Sequence, residues 1–216
     1  MLNQCLIVVC DGDELKAVQK GLGSIFSSQL VVVPIGIEGV KRVFTLTNYS
    51  AKKVLVIGLG GSISPEIKVG DVVIYESCSY QEGEKRHTKN CDRDLNAWLQ
   101  KNLNAQLIKG LTTDQIIINS QDKQKLHRQT NCAVVDMESY QVMNHFESVS
   151  ILRVISDNDR DDLPNLNQAI TSDGKLDMFK MSMVFLQQPI KALNLINNAV
   201  ISLKKLQKIS QQIAKN

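Results

Sequence analysis

Short apolar runs alternate with longer mixed segments along most of this chain. Val and Ile dominate the runs, and several runs lack polar residues at alternate positions, which is typical of strands buried on both faces of a mainly parallel sheet. The predicted strands lie at 6–9, 30–33, 54–57, 72–75, 107–111, 132–135 and 150–155.

Between these strands, the mixed segments predict helices. They lie near 13–20, 37–48, 92–103, 121–130 and 136–147. Asp92 and Asp136 are candidate N-caps, because their side chains can accept the unpaired N–H groups of a first helical turn. This alternation of strands and helices indicates an α/β domain built in layers.

The last part of the chain follows one long helical pattern. From about 190 to 215, after Pro189, apolar residues recur every three or four positions. The lysines lie mostly off this stripe and are interpreted as a solvated face, with contact to a membrane or an acidic partner as the alternative. The polar stretch at 157–174 predicts a loop that covers a site. No repeat or linker divides the chain, so we predict a single domain over 1–216.

Composition excludes several classes of protein. The 216 residues are 43% hydrophobic and 22% charged, which is ordinary for a globular chain, and the net charge is +3. Lys and Arg are scattered and do not form a basic stripe, so we predict no nucleic-acid partner. No window approaches the roughly 18 apolar residues of a membrane span.

The five cysteines are an odd number without paired spacing. They predict neither a disulfide framework nor a zinc site, and they favour a reducing cytoplasm as the location. No basic stretch precedes the first apolar run, so we expect no signal peptide.

Two short acidic segments carry the clearest candidate chemistry. VVDMES at 134–139 places Asp136 and Glu138 where a strand passes into a helix, and VISD at 154–157 ends on Asp157. Open α/β sheets bind ligands at the carboxyl ends of their strands, so these carboxylates are expected to share a pocket. Glu14 follows the first strand in the same way, although alone it is better explained as an acid that stabilises a helix dipole.

A glycine-rich segment, GLGGSISPEIKVGDVVI, occupies 58–74. Gly58, Gly60 and Gly61 follow a buried strand, and a backbone without side chains can approach a ligand closely. The segment is not a Walker loop, which requires Gly-Lys-Ser/Thr, and not a dinucleotide fingerprint, which requires a following helix. From the glycines alone, a tight turn without a ligand is the favoured interpretation.

Other sites are not supported by the sequence. DNDRDD at 157–162 has the spacing of the first calcium ligands of an EF-hand, but Asp162 replaces the required glycine and Gln168 replaces the required glutamate. The three histidines are far apart and have no nucleophilic partner, and no G-x-S-x-G motif is present. We therefore predict no metal, no cofactor and no serine or cysteine triad.

Taken in order, these segments resemble the nucleoside phosphorylase and nucleosidase superfamily. The glycine-rich segment looks like that family's glycine loop and next strand, VVDMES is similar to its helix start, and VISD matches the segment that ends in its catalytic aspartate. The DMES form and the stretch at 112–126 look closest to the hopanoid-associated phosphorylase-like branch, followed by the methylthioadenosine/S-adenosylhomocysteine nucleosidases. The resemblance implies a three-layer sandwich around a mixed, mainly parallel sheet.

The resemblance also implies cleavage of the N-ribosidic bond of a purine nucleoside, of the adenosine type and with a 5′ modification as an option. Asp157 would be the general acid toward purine N7, with its pKa raised by burial and by the nearby charge of Asp159. Glu14 matches the position of the base that activates water in nucleosidases.

The same resemblance assigns the binding residues. Glu138 would hold the ribose hydroxyls through charge-assisted hydrogen bonds, and Met137 would pack under the ribose. The glycine loop would comprise Gly58, Gly60 and Gly61, and the base pocket would comprise Ile116, Ile117 and Ser156.

Departures from the family pattern leave the nucleophile and the activity open. Leu59 stands where members often offer a hydroxyl, and no arginine is placed to grip phosphate, Arg42 being the nearest candidate, so we favour water. About twenty residues separate Glu14 from Pro34, where the family usually has an extra strand pair. The alternatives are a phosphate-dependent phosphorylase and a non-catalytic nucleoside-binding member. Since family members assemble, we expect a homo-oligomer.

Overall fold

The computed structural model describes residues 2–47 and 49–216, and eight strands in these ranges form one mixed sheet. The strands are β1 (Cys5–Cys10), β2 (Leu30–Val33), β3 (Lys53–Ser62), β4 (Val72–Glu82), β5 (Lys85–Asn90), β6 (Gln106–Thr112), β7 (Val134–Asp136) and β8 (Val149–Asp157).

Five of these strands close into a ring. β3 pairs parallel with β8 and antiparallel with β7, while β4 pairs antiparallel with β8 and parallel with β6. A parallel pair between β6 and β7 completes the ring. β1 and β2 extend the sheet in parallel from β3, and β5 pairs antiparallel with β4. The sheet is therefore mixed and mainly parallel, as predicted.

Helices cover both faces of this sheet. They are α1 (Asp13–Leu22), α2 (Ile37–Leu46), α3 (Arg93–Asn102), α4 (Ser120–Thr130), α5 (Ser139–His145), α6 (Met178–Gln187) and α7 (Pro189–Ala214). Val18 of α1, Leu99 of α3 and Leu206 of α7 are buried in one core cluster. Phe44 of α2 and Val142 of α5 are buried in another. The predicted three-layer α/β sandwich is confirmed.

Both predicted capping aspartates satisfy backbone donors at helix starts. Asp92 is the N-cap of α3 and accepts the N–H of Leu95 at 2.7 Å. α5 begins at Ser139, later than predicted, yet Asp136 still accepts the N–H groups of Glu138 and Ser139 at 3.1 and 3.0 Å. These contacts anchor the chain where it leaves β7, next to the candidate site.

One strand and one α-helix were not predicted. β5 is polar and mostly exposed, so no apolar run marks it, and it is held by antiparallel pairing with β4. α6 is rich in apolar residues but follows no clear helical stripe, and Asp177 caps it by accepting two backbone N–H groups. The predicted loop at 157–174 begins at the last residue of β8, and it contains a short 3-10 helix at Leu166–Ala169 and an isolated bridge from Ile170 to Leu176.

The glycine-rich segment differs from the prediction of a loop or tight turn. β3 continues through Gly58, Gly60 and Gly61 to Ser62, beyond the predicted end at 57. The strand persists because Gly61 and Ser62 pair with β7. The three glycines therefore belong to a paired β-strand and not to a loop or turn.

Candidate active site

The parallel strands β1, β3 and β8 bring their carboxyl ends to one edge of the sheet, and a cavity of about 260 Å³ lies there. Glu14, Glu138 and Asp157 all line this cavity. The structure thus brings together the three acids that the sequence had placed at strand ends, at the edge where such sheets bind ligands.

Every site residue predicted from the sequence lines the cavity except Gly58. Beside the three acids, the predicted residues in its wall are Met137, Gly60, Gly61, Ile116, Ile117 and Ser156. Leu163 and Leu166, from the loop predicted to cover a site, and Leu195 of α7 complete a largely apolar surface. Apolar walls with a few convergent polar groups are typical of small-molecule pockets.

Gly58 does not line the cavity but packs against the side chains of Glu14 and Arg153. A Cβ atom there would lie 2.1 Å from Oε2 of Glu14 and 2.6 Å from an Nη atom of Arg153. A Cβ on Gly61 would come within 3.0 Å of the Asp157 carboxylate. The glycines thus leave room for buried charged side chains, since any larger residue would displace them.

Glu14 lies in the first turn of α1, and its carboxyl group reaches across to β3. Its Oε2 accepts the backbone N–H of Leu59 at 2.9 Å. Burial raises the pKa of Glu14 to about 7, with a further contribution from the charge of Glu138, while Arg153 and the N–H of Leu59 oppose the rise. A carboxylate with this pKa can accept a proton near neutral pH.

Glu138 is held between a loop and a buried arginine. Its Oε1 accepts the N–H of Gly36 at 2.9 Å, and its Oε2 lies 3.6 Å from Nη2 of Arg153. Gly36 has φ 86, a conformation that favours glycine, and this turn aims its N–H at the acid. Burial raises the pKa of Glu138, and Arg153 counteracts that rise.

Arg153 is the central cation of the site and was missed in the sequence. It lies on β8 with 1% of its side chain exposed, and its Nη2 is 3.4 Å from Asp136 and 2.9 Å from the hydroxyl of Ser139. The acids around it raise the pKa of Arg153, so it stays charged. An arginine in the middle of the apolar run SILRVISD is the signal that could have identified it, because an unpaired charge is not stable there.

Asp157 ends β8 and is paired with a second buried cation. The ammonium group of Lys123 donates to its Oδ2. Burial raises the pKa of Asp157 and Lys123 lowers it. Among the acids, Asp161 adds to this rise in pKa, whereas Asp159, the neighbour that the resemblance suggested, forms an ion pair with Lys68 at 3.5 Å.

Arg42, the nearest candidate for gripping phosphate, lies away from the cavity. Arg42 is exposed on α2, where its guanidinium donates to the carbonyl of Ser172 at 3.4 Å, and it does not line the cavity. Among residues 2–47 and 49–216, no group of three His, Cys, Asp or Glu side chains is arranged to hold a metal ion. In the same ranges, no helix has the length and apolar character needed to cross a membrane.

Residues 40–178 match the sequence profile described as the Phosphorylase superfamily. This chain belongs to the phosphorylase superfamily. The resemblance stated from the glycine-rich, VVDMES and VISD segments is confirmed, and membership identifies the chain as an enzyme of the nucleosidase and phosphorylase type. No curated protein matches the sequence.

Solved structures share the fold of this superfamily member at low sequence identity. Futalosine hydrolase of Helicobacter pylori is 16% identical with a TM-score of 0.64, covering 96% of this chain and 97% of its own. The 5′-methylthioadenosine/S-adenosylhomocysteine nucleosidase of Helicobacter pylori is 17% identical with a TM-score of 0.63, covering 94% of this chain and 95% of its own. The corresponding nucleosidase of S. pneumoniae is 16% identical with a TM-score of 0.65, covering 96% and 98%.

Proposed function

We propose that this member of the phosphorylase superfamily hydrolyses the N-ribosidic bond of a purine nucleoside of the adenosine type. The observation that carries the proposal is the convergence of Glu14, Glu138 and Asp157 on one mainly apolar cavity. Among the structures that share the fold, a mutant of the Helicobacter pylori nucleosidase holds 5′-methylthioadenosine in its active site. A pocket of this kind supplies both an acid and a base for cleavage of a glycosidic bond.

Asp157 is the proposed acid for the departing base. As the bond between the ribose and N9 breaks, the purine gains negative charge, and the Asp157 carboxyl donates a proton to N7. Burial raises the pKa of this group, which favours the protonated form that the step requires. Ile116 and Ile117 line the cavity and offer apolar surfaces against which a purine ring can pack.

Glu14 is the proposed base for water. Its carboxylate takes a proton as the water oxygen bonds to the anomeric carbon, so the products are the free base and a sugar with a new hydroxyl. Glu138, held by Gly36 and Arg153, accepts hydrogen bonds from the ribose hydroxyls, and its charge stabilises the positive charge that develops on the sugar. Met137 also lines the cavity and supplies an apolar contact under the ribose.

Water is favoured over phosphate as the nucleophile because the buried Arg153 is already paired with acids of the protein. Arg153 is 1% exposed, its Nη2 donates to the hydroxyl of Ser139 at 2.9 Å, and the same nitrogen lies 3.4 and 3.6 Å from the carboxylates of Asp136 and Glu138, so its charge is already balanced by buried acids. A phosphate ion beside Glu14 and Glu138 would meet like charges, and no Lys or Arg is among the described residues that line the cavity. The phosphate-dependent reaction therefore stays the second candidate.

A substrate screen tests the proposed reaction. Adenosine, methylthioadenosine, S-adenosylhomocysteine and inosine are incubated with the enzyme, each with and without phosphate, and free base is measured. We expect release of adenine from at least one adenosine derivative without phosphate. Dependence on phosphate with a ribose-1-phosphate product would instead establish a phosphorylase. No release from any compound, together with thermal stabilisation by adenine, would indicate a non-catalytic nucleoside-binding protein.

The pH dependence of hydrolysis is expected to report Glu14. A general base must be ionised, and the pKa of Glu14 is raised to about 7, so kcat/KM should fall as the pH drops below that value. Glu14→Gln should lower hydrolysis by roughly 10²- to 10⁴-fold and remove this acidic limb. Glu38→Gln, which changes an exposed first-turn acid of α2, is the matched control and should keep wild-type kinetics. Unchanged hydrolysis in Glu14→Gln would exclude Glu14 as the base.

A homo-oligomer is the proposed assembly. The α6–α7 apolar surface, formed by Met178, Phe179, Met183, Leu186, Ile190 and Leu193, is exposed to solvent. Phe179 and Leu186 are 77% and 78% exposed, which is unusual for a stable monomer. We expect light scattering to give a multiple of the 24.1 kDa chain mass, and Leu186→Lys to reduce that mass. A wild-type mass of one chain would contradict the proposal.

A further inference from the structure

Lys123 of α4 is a fully buried cation outside the cavity wall. Its side chain is 1% exposed, and its ammonium donates to Oδ2 of Asp157, to the carbonyl of Asn158 at 2.9 Å and to the carbonyl of Asp161 at 3.1 Å. A lysine ammonium has three donors, so this set of acceptors uses all of them. Lys123 therefore has no proton left for a ligand and can influence a substrate only through Asp157.

The contacts of Lys123 distinguish the two oxygens of the Asp157 carboxyl. Oδ2 is occupied by the ammonium, while Oδ1 lies 2.8 Å from the hydroxyl of Ser156. That hydroxyl also lies 3.2 Å from the carbonyl of Gly60, and its one proton can serve a single acceptor at a time. The Ser156 hydroxyl donates either to Oδ1 or to the Gly60 carbonyl, and when it donates to Gly60, Oδ1 accepts no hydrogen bond from Ser156 and is free to carry a proton. Oδ1 is thus the oxygen suited to carry the proton that is transferred.

We propose that Lys123 is a positioning residue for Asp157, which fixes Oδ2, leaves Oδ1 for the leaving base and stabilises the carboxylate that remains after proton transfer. This role rests on the proposed function of Asp157 as the acid. In the transfer, the Oδ1–H bond breaks, an N7–H bond forms, and the negative charge that develops on Asp157 lies beside a fixed ammonium. Such a charge, aligned before the reaction, lowers the barrier without reorganisation of solvent.

The other groups around Asp157 do not replace this cation. Asp161 of the same loop raises the pKa of Asp157, and Asp159 is directed toward Lys68. On the β3 side Asp157 faces Gly61, which has no charge, while Asn198 of α7 donates to Asp161 at 3.4 Å. Lys191 of α7 pairs with Asp162 at 3.6 Å. Lys123 is the only cation that the described contacts place on the Asp157 carboxyl, so its removal should shift the titration of this acid.

The test compares Lys123→Met with Lys125→Met, which removes an exposed lysine from the same helix. We expect Lys123→Met to lower kcat by roughly 10²-fold with little change in KM, since the carboxyl loses its fixed orientation. Without the ammonium the pKa of Asp157 rises, so the limb of the kcat profile on which activity is lost at high pH should move to higher pH. Lys125→Met should retain the wild-type values. Wild-type kcat and pH profile in Lys123→Met would overturn the proposal.

A double variant separates positioning from a merely structural role. In an Asp157→Asn background, Lys123→Met should add no further loss of kcat, because the acid through which it acts is already absent. An equal loss in both backgrounds would overturn the proposal. If Lys123→Met does not fold, Lys123→Arg is measured instead. Arginine keeps the charge but moves the donors, so we expect a lower kcat with a pH profile close to that of wild type. An unchanged kcat would count against the role.

The proposed function can fail separately from this inference. If wild type releases base while Lys123→Met matches it, only the role of Lys123 fails. If wild type releases no base, the proposed function fails, and the role of Lys123 is then measured by the pH dependence of adenine binding by calorimetry. Identical affinity profiles for wild type and Lys123→Met would overturn it, whereas weaker binding with a shifted profile would support it.

Discussion

Asp157→Asn is expected to reduce base release by roughly 10²- to 10⁴-fold, which is the usual contribution of a general acid. An asparagine amide can still accept the hydrogen bond from Lys123, but it cannot supply an acidic proton to N7. The structure places this carboxyl at the cavity surface, with burial raising its pKa. The variant should therefore bind nucleoside and lose turnover.

Single-turnover assays and calorimetry with the substrate found in the screen measure these two effects. Asp94→Asn, which changes an exposed acid in the first turn of α3, is a control for loss of a carboxylate that does not face the cavity. A melting curve must show that Asp157→Asn is folded, since the variant leaves the buried Lys123 without a negative partner. Wild-type rates in a folded Asp157→Asn protein would exclude Asp157 as the acid.

The acids of the site were predictable because sequence places them directly at strand ends. Asp157 ends β8, which is parallel to β3, and the carboxyl ends of parallel strands meet at one edge of a sheet. Glu138 follows β7, which is antiparallel to β3, and its position near the end of β3 comes from the pairing of Val134 and Val135 with Ser62 and Gly61. The prediction for Glu14 had weaker support from the local sequence, because an acid in the first turn of a helix is common. Only its contact with Leu59 on β3, across 45 residues of sequence, shows that its carboxyl turns inward.

Neither cation was predicted: Arg153 had a local signal that was missed, whereas the position of Lys123 depends on contacts between distant segments. Lys123 lies 34 residues from its partner Asp157 and follows a polar stretch in which a buried lysine has no local signal. The glycines illustrate the same limit. The sequence indicates a close backbone approach at Gly58, whereas the structure shows that the approaching groups are Glu14 and Arg153 of the protein itself.

Arg153→Met is expected to destabilise the fold by about 3–5 kcal/mol and to abolish activity, since breaking a buried ion pair leaves uncompensated charge. Arg153 has acidic partners in Asp136 and Glu138, both buried, and it opposes the raised pKa of Glu14. Methionine has similar length and fills the space without a charge, so cavity formation contributes little.

The loss of stability in Arg153→Met should depend on pH with a definite sign. Removing the arginine raises the pKa values of Glu14 and Glu138 in the folded state, so this state binds more protons than the unfolded chain. Stability then falls as the pH rises through the raised folded values. Urea unfolding at about pH 5.5 and about pH 8 should therefore show the larger deficit at the higher pH.

A second substitution can separate the electrostatic contribution from the packing contribution to the stability loss in Arg153→Met. Adding Glu138→Gln to Arg153→Met removes one of the uncompensated acids, so the double variant should be more stable than Arg153→Met alone at about pH 8, while the two converge as the pH falls. Arg93→Met, at an exposed position on α3, controls for the general effect of losing an arginine. A deficit in Arg153→Met that is the same at both pH values and is not relieved by Glu138→Gln would mean that Arg153 acts by packing, and the electrostatic account of the site would be wrong.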